Sequence, residues 1–338
     1  EINERYIKGE YFFACNSRKK YPMTLHGVWT ANNDKLPMWK ADLHQDINVQ
    51  MSYDAYYKLN HFKEGKVIID FYKRLIPNFK KNAKQFMQTE GIYIPGVMAQ
   101  NGVPLGGWPQ YAMNPACSIW VLKIIENYYE YCDFSHEYLK VLFYFFSETE
   151  KCIYSILVKD SDGYYSLPFH SSPEYYENDP KSIFKDPTNF EITMLRYLYE
   201  RLSYYSKKLN IDSKHYDDVL KHLPNYYRDK DGCLMISKSQ PYAKSHRHFS
   251  HMLMYKNMEM VDPINNSELI KKDINNLIKY GHSEWVGFSP VELAGLFAYT
   301  FNGEDAYNQL KTYIKYFTHK NGFHTNSDFQ HLGYNNYG

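Results

Sequence analysis

Excess charge of either sign is what this chain lacks first. Its 39 Lys and Arg balance 38 Asp and Glu, a formal net charge of +1 over 338 residues. Binding a phosphate backbone needs a surplus of Lys and Arg, so nucleic acid is excluded as a partner. Long apolar runs are missing too. The most apolar stretch, Val141 to Phe146, falls far short of the roughly 20 residues of a membrane span. Cysteine is sparse, with five residues at 15, 117, 132, 152 and 233 and no CxxC pair. That spacing gives no tight disulfide framework and favours free buried thiols. No Pro/Ser-rich linker and no solenoid-length repeat interrupts the sequence, so residues 1–338 read as one domain. The chain opens Glu-Ile-Asn-Glu without a signal-peptide pattern and stops at Gly338 in a Gly/Asn/Tyr-rich stretch. It is therefore expected to be a fragment of a longer polypeptide, and its compartment and oligomeric state are not legible.

Aromatic residues are plentiful. Tyr 35, Phe 20 and Trp 5 make up 18% of the chain. Tyr joins an apolar face to a hydroxyl, which suits sugar-binding clefts. A compositional bias toward Lys, Asn, Ile and Tyr explains most of the excess. The 44% apolar content is that of a packed globular core and excludes disorder.

Amphipathic helical periodicity dominates. Helices are expected at about 2–16, 47–62, 66–88, 114–131, 135–158, 187–208, 213–223, 248–258, 267–280, 290–301 and 304–318. In the second, Ile47, Met51, Ala55 and Leu59 form a narrow apolar stripe. In the sixth, Asp186 suits the N-cap and Pro187 the first helical position, with Met194, Leu195, Leu198, Leu202 and Tyr205 on one buried face. Strand alternation is scarce; only Gly91 to Met98 and Gly163 to Pro168 read as short extended pieces. About eleven helices joined by several long polar loops imply an all-α fold. The expected architecture is an (α/α)6 toroid of the six-hairpin glycosidase kind, lacking its last helix. Loops that long inside a compact domain are usually functional.

Three constellations carry chemistry. In Trp39 through Tyr53, Asp46 and Asn48 sit where loop becomes helix. A carboxylate there can hold a water as general base, or it can simply cap the helix. In His170-Ser171-Ser172-Pro173-Glu174-Tyr175-Tyr176, burial among Phe169, Tyr175 and Tyr176 would disfavour the charged form of Glu174. That is what a general acid at neutral pH needs. Alternatively Ser172 caps a short helix with Pro173 at its first position. In Ser245-His246-Arg247-His248-Phe249-Ser250-His251, a helical conformation would place His248 and His251 on one face. The spacing is not HExxH and no carboxylate or Cys completes a zinc site, so a polar sugar-binding wall is the better reading. Trp29, Trp39, Trp108 and Trp285 lie in or beside loops, where stacking on sugar faces or plugging the core are the two uses. The segment Gly102 to Gln110 is Gly-rich but lacks the Lys of a phosphate loop.

Taken in order, these segments resemble the catalytic domain of family 95 glycoside hydrolases, the α-L-fucosidases and α-L-galactosidases. Leu25-His26-Gly27-Val28-Trp29 and Pro37-Met38-Trp39 resemble that family's "LQGIW…PPW". Asp46 through Tyr53 resembles "NINTQMNY", in which two Asn position the attacking water. Ser172-Pro173-Glu174 resembles "SPEN", whose Glu is the general acid. His246 through Met252 resembles "HRHxSHL", and Glu284-Trp285 through Ala298 a "GWS…W" helix. The resemblance implies an inverting glycoside hydrolase with no cofactor or metal and a carbohydrate substrate. It also implies a secreted or periplasmic setting. The catalytic set would be Glu174, Asp46 and Asn48. The substrate would be held by Trp29, Trp39, His44, Trp108, Gln110, His170, Asn189, Arg247, His248, His251 and Trp285.

The departures are informative. The first Asn of the family pair is Asp46 here. The Asp of "FQxDGNF", which polarises the water-holding Asn pair, is replaced by Leu332 in Phe329 to Tyr334. Asp46 is thus expected to act as the base directly, with Asn48 orienting the water. Two other classes share these features. A polysaccharide lyase would use Tyr with the His246-Arg247-His248 cluster and give unsaturated product. A non-catalytic glycan-binding protein would bind sugar without turnover. A phosphorylase lacks an evident phosphate clamp.

Overall fold

The computed structural model describes residues 1–27, 38–106, 114–132, 135–176 and 179–327. Trp29, Trp108, Gln110 and Leu332 lie outside the described residues. The described residues carry ten α-helices: α1 (Ile2–Asn16), α2 (Asn48–Tyr53), α3 (Phe62–Asn82), α4 (Ala116–Cys132), α5 (His136–Ile156), α6 (Asn189–Lys208), α7 (Lys214–Lys221), α8 (Ser267–Lys279), α9 (Phe288–Tyr299) and α10 (Gly303–Phe317). Three two-stranded antiparallel ribbons accompany them. They are β1 (Leu43–His44) with β2 (Val97–Met98), β3 (Val158–Lys159) with β4 (Tyr165–Ser166), and β5 (Met235–Ser237) with β6 (Gln240–Pro241). In the first ribbon Leu43 pairs with Met98 and His44 with Val97.

The chain forms two compact units. One comprises residues 1–11, 188–193 and 226–338; the other comprises 12–187 and 194–225. The second unit is built around α4, which buries residues on every side, including Ile119, Trp120, Leu122 and Ile125. A helix buried all round marks the centre of a core. Its buried carboxylate, Glu126, is fully hydrogen-bonded: it accepts from the Tyr197 hydroxyl at 2.6 Å, from Arg201 Nε at 3.0 Å and from the Tyr205 hydroxyl. Such pairing is the condition for burying a charge. Helices α3 and α5 pack against α4 with one apolar face each, Val67, Ile68, Phe71 and Tyr72 on α3 and Leu139, Leu142, Phe145 and Phe146 on α5. Ser135 caps α5 by accepting from Tyr138 N.

In the first unit, α9 and α10 form a helical hairpin through Thr300–Asn302, with Asn302 capping α10. Both units reuse one tight turn. At 99–103, 160–164, 229–233 and 319–323 a backbone N–H bonds the carbonyl four residues on, and a glycine N–H closes back on the first carbonyl. Gly102, Gly163, Gly232 and Gly322 have φ between 77° and 95° in these turns. That left-handed conformation is open to Gly without steric cost.

Several expected elements are redrawn. The helix over 47–62 stops at Tyr53, and its proposed stripe is not a buried face. Ala55 is exposed, Met51 and Leu59 are half-buried, and the burial goes instead to Tyr53, Tyr56 and Tyr57. Helix α6 is capped not by Asp186 but by Thr188. Its hydroxyl accepts from Glu191 N at 3.2 Å, while the Glu191 carboxylate accepts from Thr188 N at 3.0 Å. This is a capping box, Thr-x-x-Glu, legible in the sequence but overlooked beside Asp-Pro. The apolar face from Met194 to Tyr205 is buried as expected. Residues 248–258 do not form an α-helix. Phe249 through Tyr255 are all buried. The segment takes a 3-10 turn at Ser250–Met252 followed by further turns.

Candidate active site

Asp46 follows β1 and precedes α2, whose N-cap is Ile47. The ribbon fixes this approach: His44 pairs with Val97, and Gln45 N donates to Gly96 O at 2.6 Å. Asp46 is fully buried, and Asn48 opens α2 half-buried. Capping therefore does not account for Asp46.

Glu174 is placed by a separate loop of the same unit. The expected helix beginning at Pro173 is absent, because Glu174 has φ 58° and Tyr176 φ 60°. Residues in the left-handed region cannot continue a right-handed helix, and each non-glycine there costs about 1–2 kcal/mol. Packing holds the strained loop. Ser171, Ser172 and Tyr175 are buried, and Tyr175 and Tyr176 pack edge-on and tilted against Phe184 at 6.1 and 5.7 Å. His170 pairs with Phe184 across an isolated bridge, its carbonyl accepting from Phe184 N at 2.8 Å. Trp39 and Ala41, on the approach to Asp46, are also left-handed, at φ 63° and 56°. Strain of this kind clusters at functional sites.

The start of α4 ties the two segments together. Asn114 Oδ1 accepts from Ala116 N at 2.9 Å and caps the helix, while Asn114 Nδ2 donates to Ser171 Oγ at 2.7 Å. One turn in, the buried Cys117 thiol is pushed well above its ordinary range by burial and by the negative charge of Asp46. So the Asp46 carboxylate and the loop of Glu174 both meet the first turn of α4.

His44 senses both carboxylates. Its imidazole is buried and lies 2.8 Å from Asp42 Oδ1. Burial alone would lower its pKa, but the Asp42 hydrogen bond and the charges of Asp46, Asp42 and Glu174 outweigh burial and raise it. His26 is pushed the other way, by desolvation and by His44, against the pull of Asp42. Trp39, 40% exposed, sets its indole edge-on to His44 at 5.7 Å. A buried carboxylate at Asp46, a half-buried one at Glu174, an imidazole and an open indole are parts that suit a site that binds sugar and moves protons.

The remaining expected residues belong to the other unit, and several are structural. Asn189 is fully buried, with Nδ2 donating to Tyr227 O and Met235 O at 2.9 and 2.8 Å and Oδ1 accepting from Tyr227 N at 2.9 Å. Both amide hydrogens are occupied by backbone carbonyls, so the side chain has none to offer a ligand. Trp285 is 5% exposed, packed on Phe249 at 5.6 Å and His282 at 6.0 Å, and its buried Nε1 has no hydrogen-bond partner among the described residues. His251 is buried and stacked on Tyr242 at 4.7 Å, and burial lowers its pKa to about 3. It is a neutral packing residue. His248 is buried beside His246, whose Nδ1 accepts from His248 N at 3.1 Å. Arg247 is half-buried, and its carbonyl accepts from Ser289 Oγ at 2.7 Å. Among the described residues no group of three or more His, Cys, Asp or Glu could hold a metal ion.

Residues 3–335 match the model of the glycosyl hydrolase family 95 catalytic domain. The chain belongs to this family. A solved structure described as "Putative kojibiose phosphorylase from human microbiome" is similar to this family 95 chain, with a TM-score of 0.57 and 14% identity over 85% of the chain. The chain spans 46% of that protein's length, and the likeness speaks to fold alone. No curated protein matches. The family 95 domain is a glycoside hydrolase catalytic domain with an all-α fold of the (α/α)6 toroid class.

Two members of the site were missed in the sequence. Asp42 was legible, since Asp-x-His along a strand sets both side chains on one face. Asn114-Pro115 carries the N-cap and first-position signal of a helix, but nothing local announces its bond to Ser171.

Proposed function

We propose that this family 95 domain hydrolyses a glycosidic bond with inversion, acting on an α-L-fucoside or a related sugar. Glu174 protonates the leaving oxygen. Asp46 takes a proton from a water that attacks the opposite face, and Asn48 orients that water. The observation that carries this reading is the match of residues 3–335 to the family 95 catalytic domain; it is supported by Asp46 and Glu174, far apart in sequence, both acting electrostatically on His44. An inverting pair must flank the scissile bond about 6.5–9.5 Å apart, which leaves room for the attacking water. The buried Asp46 does directly what the family's Asn pair does only when a neighbouring carboxylate polarises it. His44 and Asp42 balance the charge, and Trp39 offers a face for stacking. The family match runs through both units, which supports reading residues 1–338 as one catalytic domain.

The test is the anomer first released. With an aryl α-L-fucoside or α-L-galactoside, proton NMR at early times should show the β-anomer before mutarotation. Release of the α-anomer would exclude inversion. Unsaturated product from a uronic substrate would favour a lyase, and sugar binding without turnover on any glycoside would favour a binding protein.

A further inference from the structure

Two buried glutamines, Gln45 and Gln50, stand either side of Asp46 in the chain, and one hydrogen bond joins them across it. Gln45 fixes the backbone that enters Asp46 at three points. Its N–H donates to Gly96 O at 2.6 Å, its Oε1 accepts from the buried Tyr72 hydroxyl of α3 at 2.8 Å, and its carbonyl accepts from Gln50 Nε2 at 2.7 Å. Gln50 belongs to α2, the helix that leaves Asp46. Its side chain therefore reaches back past Asp46 and ties the two ends of the segment together. Ile47, at the N-cap, has no side-chain oxygen to cap α2, and a helix of six residues has little stability of its own. A carbonyl offers no hydrogen, so Gln50 meets Gln45 O with its Nε2 and leaves Oε1 facing elsewhere. Gln50 Oε1 and Gln45 Nε2 are both buried without a hydrogen-bond partner among the described residues. An unpaired buried polar atom destabilises the fold. A methionine of similar length at position 50 would lose one bond but also remove one unpaired acceptor, so packing and stability do not account for the glutamine. Unsatisfied groups of this kind gather at functional sites.

We infer that Gln50 is a positioning residue for Asp46, bracing the backbone on both sides of it so that the carboxylate keeps one direction toward the water it activates. The role rests on the assignment of Asp46 as base and deepens it. Gln50 takes no proton itself, because an amide does not titrate; it acts through Asp46. Misplacing a catalytic group by about 1 Å can cost about 100-fold in rate, so the brace matters to turnover out of proportion to its worth in stability.

The test is turnover of α-L-fucosyl or α-L-galactosyl fluoride, whose leaving group needs no acid, by Gln50→Met, Asp46→Asn and the double variant of the 338-residue chain. Gln50→Met keeps the length of the side chain and removes the bond. It should lower kcat roughly 10–100-fold, with KM within about two-fold of wild type. Its urea midpoint should stay close to wild type, since the lost bond and the removed acceptor offset each other. Because Gln50 acts through Asp46, the double variant should be no slower than Asp46→Asn alone. Gln50→Glu gives a second readout that a purely structural role would not move. A protonated Glu can donate to Gln45 O as the amide does; an ionised one cannot, and it repels Asp46. Its deficit in kcat relative to wild type should therefore shrink as pH falls. Three results would overturn the inference while Asp46→Asn still shows its own loss: a Gln50→Met kcat within about three-fold of wild type, losses that multiply in the double variant, or a Gln50→Glu deficit that does not change with pH. Turnover absent in wild type, or undiminished in Asp46→Asn, would instead remove the base assignment and the role of Gln50 with it.

Discussion

Asp42→Asn isolates the charge nearest His44, one of those that raise its pKa. The substitution preserves shape and removes the negative partner 2.8 Å from the imidazole. Two of the influences that raise the His44 pKa, the Asp42 hydrogen bond and the Asp42 charge, disappear, while burial continues to lower it and only Asp46 and Glu174 still oppose. The folded-state pKa therefore falls. Because it is raised in wild type, His44 contributes stability that is fully present below the unfolded value of about 6.5 and is lost as pH rises through the folded value. Loss of an ion-pair partner 2.8 Å away in a largely buried setting costs about 1–3 kcal/mol. Asp42→Asn should cost about that much in urea unfolding at pH 5.5, with a smaller deficit well above the wild-type pKa. If imidazolium charge helps the two carboxylates, the alkaline limb of the kcat/KM profile should also move to lower pH. A stability deficit independent of pH, together with an unmoved profile, would refute the pairing.

Other substitutions separate scaffold from site. Asn189→Ala removes three buried hydrogen bonds to backbone groups and should cost roughly 3 kcal/mol or more in denaturant unfolding, with KM unchanged for the folded protein; a raised KM at wild-type stability would restore it as a ligand residue. Asn114→Ala loses a helix cap and the Ser171 bond, about 1–3 kcal/mol, and should also lower kcat because the Glu174 loop is freed; normal kcat would disprove the tie. His251 stays neutral in the fold, so its stability contribution is present above about pH 6.5 and lost as pH falls toward its folded pKa of about 3. That is on the order of 2–3 kcal/mol by pH 4.5. His251→Gln should remove this part of the acid destabilisation, as seen in thermal melts from pH 7 to 4.5.

The helices were legible because their apolar residues recur on one face, as Met194, Leu195, Leu198, Leu202 and Tyr205 do. All-round burial does not by itself separate a helix, as in α4, from the turns that Phe249 through Tyr255 adopt. Asp46 and Glu174 could be singled out by residue type and motif, yet nothing in the sequence says that both act on His44. That follows only from the ribbon that holds His44 and from the cap at Asn114, contacts between distant segments. Asn189 has the chemistry of a ligand residue, but burial and its backbone partners occupy its amide, and neither is written in local sequence. The left-handed backbone at Glu174 was equally hidden, since Glu gives no hint of positive φ.

Glycosyl fluorides need no acid to assist departure of the leaving group, but they still need a base. Turnover of α-L-fucosyl fluoride by Asp46→Asn and Glu174→Gln therefore asks directly whether the two carboxylates hold different roles. Glu174→Gln should keep activity within about ten-fold of wild type, and Asp46→Asn should lose on the order of 10²–10⁴-fold, the usual worth of a general base. Near-normal turnover by Asp46→Asn would contradict the assignment.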